Sequence, residues 1–315
     1  MRLGGARGRR AQRGMTLIEL LIALAIGSIM ILAISRVYLA AASGVRDYRD
    51  RTALVDCVRL LHDHLDYELR RADFWGRVPA DAPRSGKVAI DGDCDGAFAF
   101  GRTADAPPDQ PRGIWASMQP PQGCSLDEAL ADQTYLAVRY AAENCAAADC
   151  SGKPVIESFY PTIVFGEALG AEGPVNADPA RDRWRYGGSL YYLRHDDDGE
   201  PALWRRVLLG GGLTKSHEVL KGVEALAFRW AVDTDRDGSA EGTAAIDELL
   251  PGDMPSVAGI EVDALVSTSA PAGYRDARRY PLIDGRQIET RPGRRYRTIR
   301  FLVPLEMHLS GVIDD

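Results

Sequence analysis

The stretch that decides the fold is Gly14-Met15-Thr16-Leu17-Ile18-Glu19-Leu20-Leu21-Ile22-Ala23-Leu24. Before it, Arg2, Arg7, Arg9, Arg10 and Arg13 supply five positive charges and no acid. After it, no charge occurs from Leu20 to Ser35, and Met15–Ala42 carries only Glu19 and Arg36. At 1.5 Å per helical residue, Met15 to Ser35 covers about 30 Å, one hydrocarbon thickness. Basic residues stay on the cytoplasmic side, so the N-terminus is expected inside and the rest exported. An ordinary cleaved signal peptide has a shorter apolar region and a small-residue cleavage site. Ala40-Ala41-Ala42 is the best such site, and it runs on into a helical pattern. A plain signal anchor explains the span but not Glu19, because a carboxylate in hydrocarbon is costly unless paired or near the interface.

The periodic pattern continues past the apolar segment. Leu54, Val58, Leu61, Leu65, Leu69 and Ala72 recur at intervals of three and four, forming one apolar stripe. No proline occurs between Met15 and Pro79, so a single helix of about 55–60 residues is predicted, ending near Phe74. Its first half is apolar all round and its second half amphipathic. His62 and His64, two apart, do not share a face and are read as solvated rather than as metal ligands.

Beyond Trp75 the composition turns to short β-prone runs with frequent Pro and Gly. Strands are predicted at 135–140, 189–193, 203–208, 223–232, 260–267 and 298–308, with long loops over 81–122 and 141–185. The expected fold is α+β: the helix packed on an antiparallel β-sheet body with long loops. The formal net charge is −7. Removing the five leader arginines leaves 33 basic against 45 acidic side chains. So acidic a body excludes a nucleic-acid footprint.

Gly14-Met15-Thr16-Leu17-Ile18-Glu19 resembles the processing signal of type IV prepilins and type II secretion pseudopilins. The resemblance implies that residues 1–14 are a leader removed by prepilin peptidase after Gly14. It implies that Met15 becomes the N-methylated first residue, where major pilins usually have Phe. Residues 15–75 are then the pilin helix, spanning the membrane over about 15–38, and 76–315 the periplasmic body. A new amine at Met15 and a carboxylate at Glu19 of a neighbouring helix are each costly alone in low dielectric, and pairing relieves both. Glu19 is therefore read as the assembly residue.

Arg70-Arg71-Ala72-Asp73-Phe74-Trp75-Gly76, Gly222-Val223-Glu224 and the aspartates from Asp233 resemble the PilW family of minor pilins. That resemblance implies a structural, non-catalytic subunit in type IV pilus assembly and initiation, located in the inner membrane and then in the pilus. The implied partners are other minor pilins, the major pilin, prepilin peptidase, the inner-membrane assembly platform and a tip adhesin. The J-type minor pseudopilin of type II secretion shares the plan and is the alternative. A membrane-anchored periplasmic enzyme is the remote one: no Gly-x-Ser-x-Gly, His-Glu-x-x-His or phosphate loop occurs. The family often has a Cys soon after its aromatic-Gly pair, whereas Arg77-Val78 follows here.

An oxidising compartment favours disulfides. Cys145 and Cys150, enclosing four residues, are expected to pair, and Cys94 with Cys124 forms the second expected bridge. Cys57, flanked on the stripe by Leu54 and Leu61, is then a buried thiol. Pairing Cys57 with a body cysteine is the other arrangement open to the sequence. Asp233, Asp235, Asp237 and Glu241 have the spacing of the first half of a calcium loop, with Gly238 for the turn. Position twelve is Ala244, so this is no full EF-hand; Glu241, Asp247 or Glu248 would stand in for the missing acid. Asp91, Asp93 and Asp95 repeat the half-loop, and Asp196–Glu200 is a weaker version. Ca2+ is the one candidate cofactor; a solvated acidic turn is the bland reading of all three.

Overall fold

The computed structural model describes residues 15–78, 84–88, 90, 100–101, 113–121, 126, 128–159, 162–167, 182–209, 212–235, 237, 239–248, 257–271 and 273–305. The chain divides into two compact units at Asp50/Arg51. The long helix α1 (Leu17–Arg70) passes through that boundary without a break in its assignment.

In the first unit the described residues are helix with nothing packed on it. Leu17, Ile18, Leu24, Ile29, Ile31, Ile34 and Leu39 are all exposed. It is the one described helix long and apolar enough to cross a membrane. Bare apolar surface on this scale calls for lipid or other helices around it. Two serine hydroxyls of this stretch are satisfied within the helix: Ser28 Oγ donates to Leu24 O at 2.7 Å and Ser43 Oγ to Ala40 O at 2.8 Å.

In the second unit the predicted stripe is the buried face. Leu54, Cys57, Leu61, Leu65, Glu68 and Leu69 are buried, and Val58 packs beside them. The helix ends in a turn over 71–73, where Asp73 takes a left-handed φ of 65°. The body then unfolds strand by strand: β1 (Arg84–Val88), β2 (Phe100–Gly101), β3 (Ile114–Ser117) and β4 (Tyr135–Asn144). A short helix α2 (Ala147–Cys150) precedes β5 (Pro154–Phe159), β6 (Thr162–Glu167), β7 (Asp182–His195), β8 (Pro201–Leu209) and β9 (Gly212–Leu213). Then come β10 (His217–Lys221), β11 (Val223–Val232), β12 (Gly242–Ala245) and β13 (Val257–Ser269). β14 (Arg279–Pro281), β15 (Gln287–Glu289) and β16 (Arg294–Pro304) complete the chain.

These strands make two sheets and a hairpin rather than one sheet. The larger runs β10-β8-β7-β5-β6-β1-β2, with β4 also on β7, β3 on β4 and β9 on β8. The smaller runs β12-β11-β13-β16, and β14 pairs with β15 alone. One pair, β1 with β6, is parallel, so the larger sheet is mixed. The fourteen-residue β7 organises it. Residues 184–191 pair with β4 along one edge, and the other edge takes β5 at 182–185 and β8 at 189–195. The two stretches expected as loops contain β1, β2, β3, β5, β6 and the start of β7. Most are four to six residues long, and Tyr160-Pro161, not Asn-Gly, separates β5 from β6, so the usual hairpin signal is missing. The predicted strand at 298–308 begins earlier, at Arg294; its residues past Leu305 lie outside those described.

One apolar cluster joins everything to the helix. Leu61, Leu65 and Leu69 share it with Leu136, Tyr191 and Leu203 of the larger sheet and with Phe228, Trp230 and Val262 of the smaller. The outer face of the smaller sheet is covered too, by Tyr280 and Leu282 against Ala225, Ala227 and Leu265. With both faces covered, most of β13 is buried, Asp263 and Ser267 included.

Glu68 is a charge within this core. Arg71 Nη2 lies 2.5 Å from its Oε1, and Arg205 Nη1 lies 3.6 Å away. Beside it, His64 Nε2 meets the Tyr191 hydroxyl at 3.1 Å. His64 is thus a part-buried core residue, and His62 lies 4.5 Å from the Phe301 ring, so neither is simply solvated as expected. Both face packed strands because 61 and 65 bracket them on the buried side.

Two predictions follow from the helix. Leu65→Ala should destabilise the chain by about 3 kcal/mol, read as a lower denaturation midpoint with an unchanged slope. Burial, ahead of the opposing Glu68 carboxylate and the reinforcing Arg205 and Arg71 charges, holds His64 below its usual value of 6.5. The unfolded chain then takes up a proton at His64 before the folded one does. Stability should fall as pH drops from about 6.5 through the lowered folded value. His64→Gln should flatten that fall; an unchanged pH slope would show that His64 is not its source.

Candidate functional site

Three places carry the sequence-predicted residues: the start of α1, the end of α1 with its clasp on the body, and the loop between β11 and β12.

At the start, Glu19 lies in the first turn. Its Oε2 accepts the Thr16 N–H at 3.4 Å, and its own N–H donates to Thr16 Oγ1 at 3.3 Å. This reciprocal pair is a capping box, which satisfies two amide groups that a helix N-terminus leaves unmet. The carboxylate also lies at the positive end of the helix dipole. The signal is legible as Thr16-x-x-Glu19, and it gives Glu19 a role within its own chain beside the expected pairing with a neighbour's amine. The cap uses one carboxylate oxygen; Oε1 makes no hydrogen bond among the described residues. Met15 is exposed next to it, and Gly14 lies outside the described residues.

At the other end, the Arg70–Gly76 segment is a structural clasp. Asp73 Oδ1 accepts Trp75 Nε1–H at 2.6 Å and the Gly113 N–H at 2.9 Å. The Asp73 N–H donates to Arg139 O at 3.1 Å. Trp75 is fully buried against Phe165 and Tyr186. Gly76 has φ +98°, and a Cβ there would lie 2.4 Å from Ser158 Oγ, so only glycine fits. The Gly222-Val223-Glu224 segment works alike. Gly222 has φ +80°, and a Cβ would lie 2.3 Å from Ser267 O. Glu224 accepts two bonds from Arg291 Nη2 at 3.0 and 2.9 Å and one from Ser267 Oγ.

Between β11 and β12, Asp233, Asp235, Asp237 and Glu241 each bring a carboxylate oxygen within 4.8 Å of the others. The hairpin closes through Glu241 N–H to Val232 O at 3.0 Å. Glu241 Oε2 accepts Thr234 N–H at 2.7 Å and Thr234 Oγ1–H at 3.0 Å. Asp235 and Asp237 cap the turn, accepting the Asp237 and Ser239 amides. Asp233 is buried and the other three are exposed. Glu248 is spent elsewhere, accepting the Ala245 N–H.

The Asp196–Glu200 turn does not gather carboxylates. Asp196 accepts the Asp198 and Glu200 amides, and Lys221 Nζ lies 2.6 Å from its other oxygen. The Lys221 ammonium, with those amides, holds the Asp196 carboxyl below its usual range. Asp91, Asp93, Asp95, Cys94 and Cys124 lie outside the described residues. Cys145 and Cys150 form the expected disulfide. Cys57 is a free, buried thiol whose Sγ donates to Lys221 O at 3.4 Å, and burial pushes it up to about 11. A thiol so shifted is inert at neutral pH.

Two family models match the chain. The prokaryotic N-terminal methylation motif matches residues 9–35, and the type IV pilus-assembly protein W family matches residues 190–306. The first covers Gly14 to Glu19; the second covers Gly222, Glu224 and the acidic hairpin, and ends where β16 does. No curated protein and no solved structure matches the chain significantly. A methylation motif on an uncovered apolar helix, joined to a body whose C-terminal section matches the assembly family, supports a PilW-type type IV pilin, a minor pilin that takes part in pilus assembly.

Proposed function

We propose that the chain works without catalysis, as a subunit cut after Gly14, N-methylated at Met15, and drawn into the pilus by its helix. The N-terminus stays cytoplasmic and the β-rich body stands in the periplasm, following the five leader arginines. Prepilin peptidase makes the cut. The body then meets other minor pilins in the complex that primes assembly, under the major pilin, the inner-membrane platform and a tip adhesin. The single observation that carries this reading is the start of α1: apolar, uncovered, and bearing one carboxylate with an oxygen to spare. Capping explains how Glu19 is tolerated in its own chain. The spare oxygen is what a neighbour's new amine would take, and in low dielectric that contact fixes one helix against the next.

Replacing Gly14 by leucine should leave an unprocessed precursor held in the membrane. Glu19→Ala should be cut normally yet fail to enter pili, with fewer surface pili counted by electron microscopy. Normal incorporation of the Glu19→Ala protein would end the pairing account. Deletion of the chain with normal pili and failed protein export would instead assign it to a secretion pseudopilus.

A second reading concerns the acidic hairpin. We infer that Asp233, Asp235, Asp237 and Glu241 take Ca2+, since four carboxylates converge and oxygen ligands from alternate positions suit a hard cation. Calcium should raise the thermal midpoint of the full chain, chelator should reverse the rise, and Asp235→Asn with Asp237→Asn should abolish it. The same midpoint with calcium and with chelator would leave the hairpin a solvated turn.

A further inference from the structure

Beyond its leader, the acidic chain has one strongly basic section. Residues 275–300 hold nine arginines and three acids. They form the β14–β15 hairpin and most of β16, which is the outermost strand of the smaller sheet. β16 pairs with β13 continuously from Arg294↔Ser269 to Pro304↔Gly259, with no bulge. Among the described residues no strand pairs with its other side. Eleven residues of straight, unpaired edge is the feature that sheet proteins ordinarily shorten, bend or cover. The opposite edge of the same sheet follows that custom, since β12 has only four residues.

Much of the positive charge is already neutralised, and Arg297 and Arg300 keep exposed charge along this edge. Arg294 is tied to Glu200 and Ser267, and Arg291 to Glu224. Arg297 is exposed, with no ion pair among the described residues. Arg300 reaches Asp263 at 2.8 Å yet stays half exposed. Alternation along the strand puts Arg297 on the face that carries Ile299, Phe301 and Val303, and Arg300 on the face that carries Thr298 and Leu302. Leu302 is 53% exposed. The edge thus offers an open ladder of backbone groups, a cation on each face, and an apolar contact near its end.

We propose that the free edge of β16 accepts an extended acidic segment of a neighbouring pilus subunit as an added strand. Backbone bonds supply the affinity and the arginines select the sign of the partner. A second copy docking the same edge would set this arginine-rich strand against another of the same charge, and like charges across a ladder are destabilising. The partner is therefore a different chain, with an acid on each face and an apolar residue opposite Leu302. This inference rests on the assembly role for the partner's identity, but its test needs no pilus, so the two can fail separately.

The test uses the full chain in phosphatidylcholine nanodiscs. The probe is a capped nine-residue peptide alternating valine and glutamate; the control has lysine for glutamate. Hydrogen exchange is followed over 294–304. The acidic peptide should slow exchange there at least tenfold, and the lysine peptide should not. Arg297→Glu should weaken the acidic peptide about fivefold, in line with reversing one exposed charge. Thr298→Lys, which keeps the strand and adds charge, should not weaken it. Three results would overturn the proposal: equal protection by both peptides, protection produced by phosphatidylglycerol nanodiscs alone, or an edge fully protected before any peptide is added.

Discussion

The body depends on one contact surface, the stripe of leucines at 54, 61, 65 and 69. Neither sheet has a core of its own on that side: the inner faces of β4, β7 and β8 and of β11, β13 and β16 meet at these side chains. Each sheet needs an apolar layer to cover its face, and the helix supplies it to both. Fully burying a leucine contributes about 1.5–3 kcal/mol, so this short stretch outweighs any ion pair on the surface. The same helix, continued toward its start, has no covering layer at all. One element therefore has two solvents along its length, and its composition changes to match.

The polar groups refine what the leucines build. Asp73 gathers Trp75 and Gly113 where the helix turns into the body, and Glu224 gathers Arg291 and Ser267 where β11 leaves its tight turn. Glu224 sits in the section that matches the family model. Both residue types follow from geometry rather than from chemistry performed on a ligand. Gly76 and Gly222 are required because backbone or side-chain oxygen occupies the space of a Cβ. A motif can thus mark a family by its folding needs alone.

Much of this was legible in the sequence, for physical reasons. A helix of 54 residues with no proline repeats its period often enough to be read, and so does β11, where Leu226, Phe228 and Trp230 alternate. The strands that escaped are short or irregular. β1 carries Ser-Gly, β3 has four residues, and β5 and β6 lack a turn signature between them. The parallel pairing of β1 with β6 is a long-range choice that no local pattern encodes. At the site, the aspartates of the β11–β12 hairpin were read as a group and are one, whereas Asp196 was grouped with its neighbours and is held by Lys221. A lysine twenty-five positions away cannot be seen from spacing. The Thr16–Glu19 cap is written in the sequence as Thr-x-x-Glu, a local pattern that needs no long-range contact.

Glu68 gives the helix something that leucines cannot. An apolar stripe of similar side chains tolerates sliding, since one leucine can take another's place after a shift of one turn, about 5.4 Å. Such a slip would carry Glu68 away from Arg205 and His64 away from Tyr191, and would set a charge against apolar strands. The helix is thereby indexed along its axis as well as packed. Tension applied along that axis would meet a stop at this level of the body, before the leucine layer begins to creep.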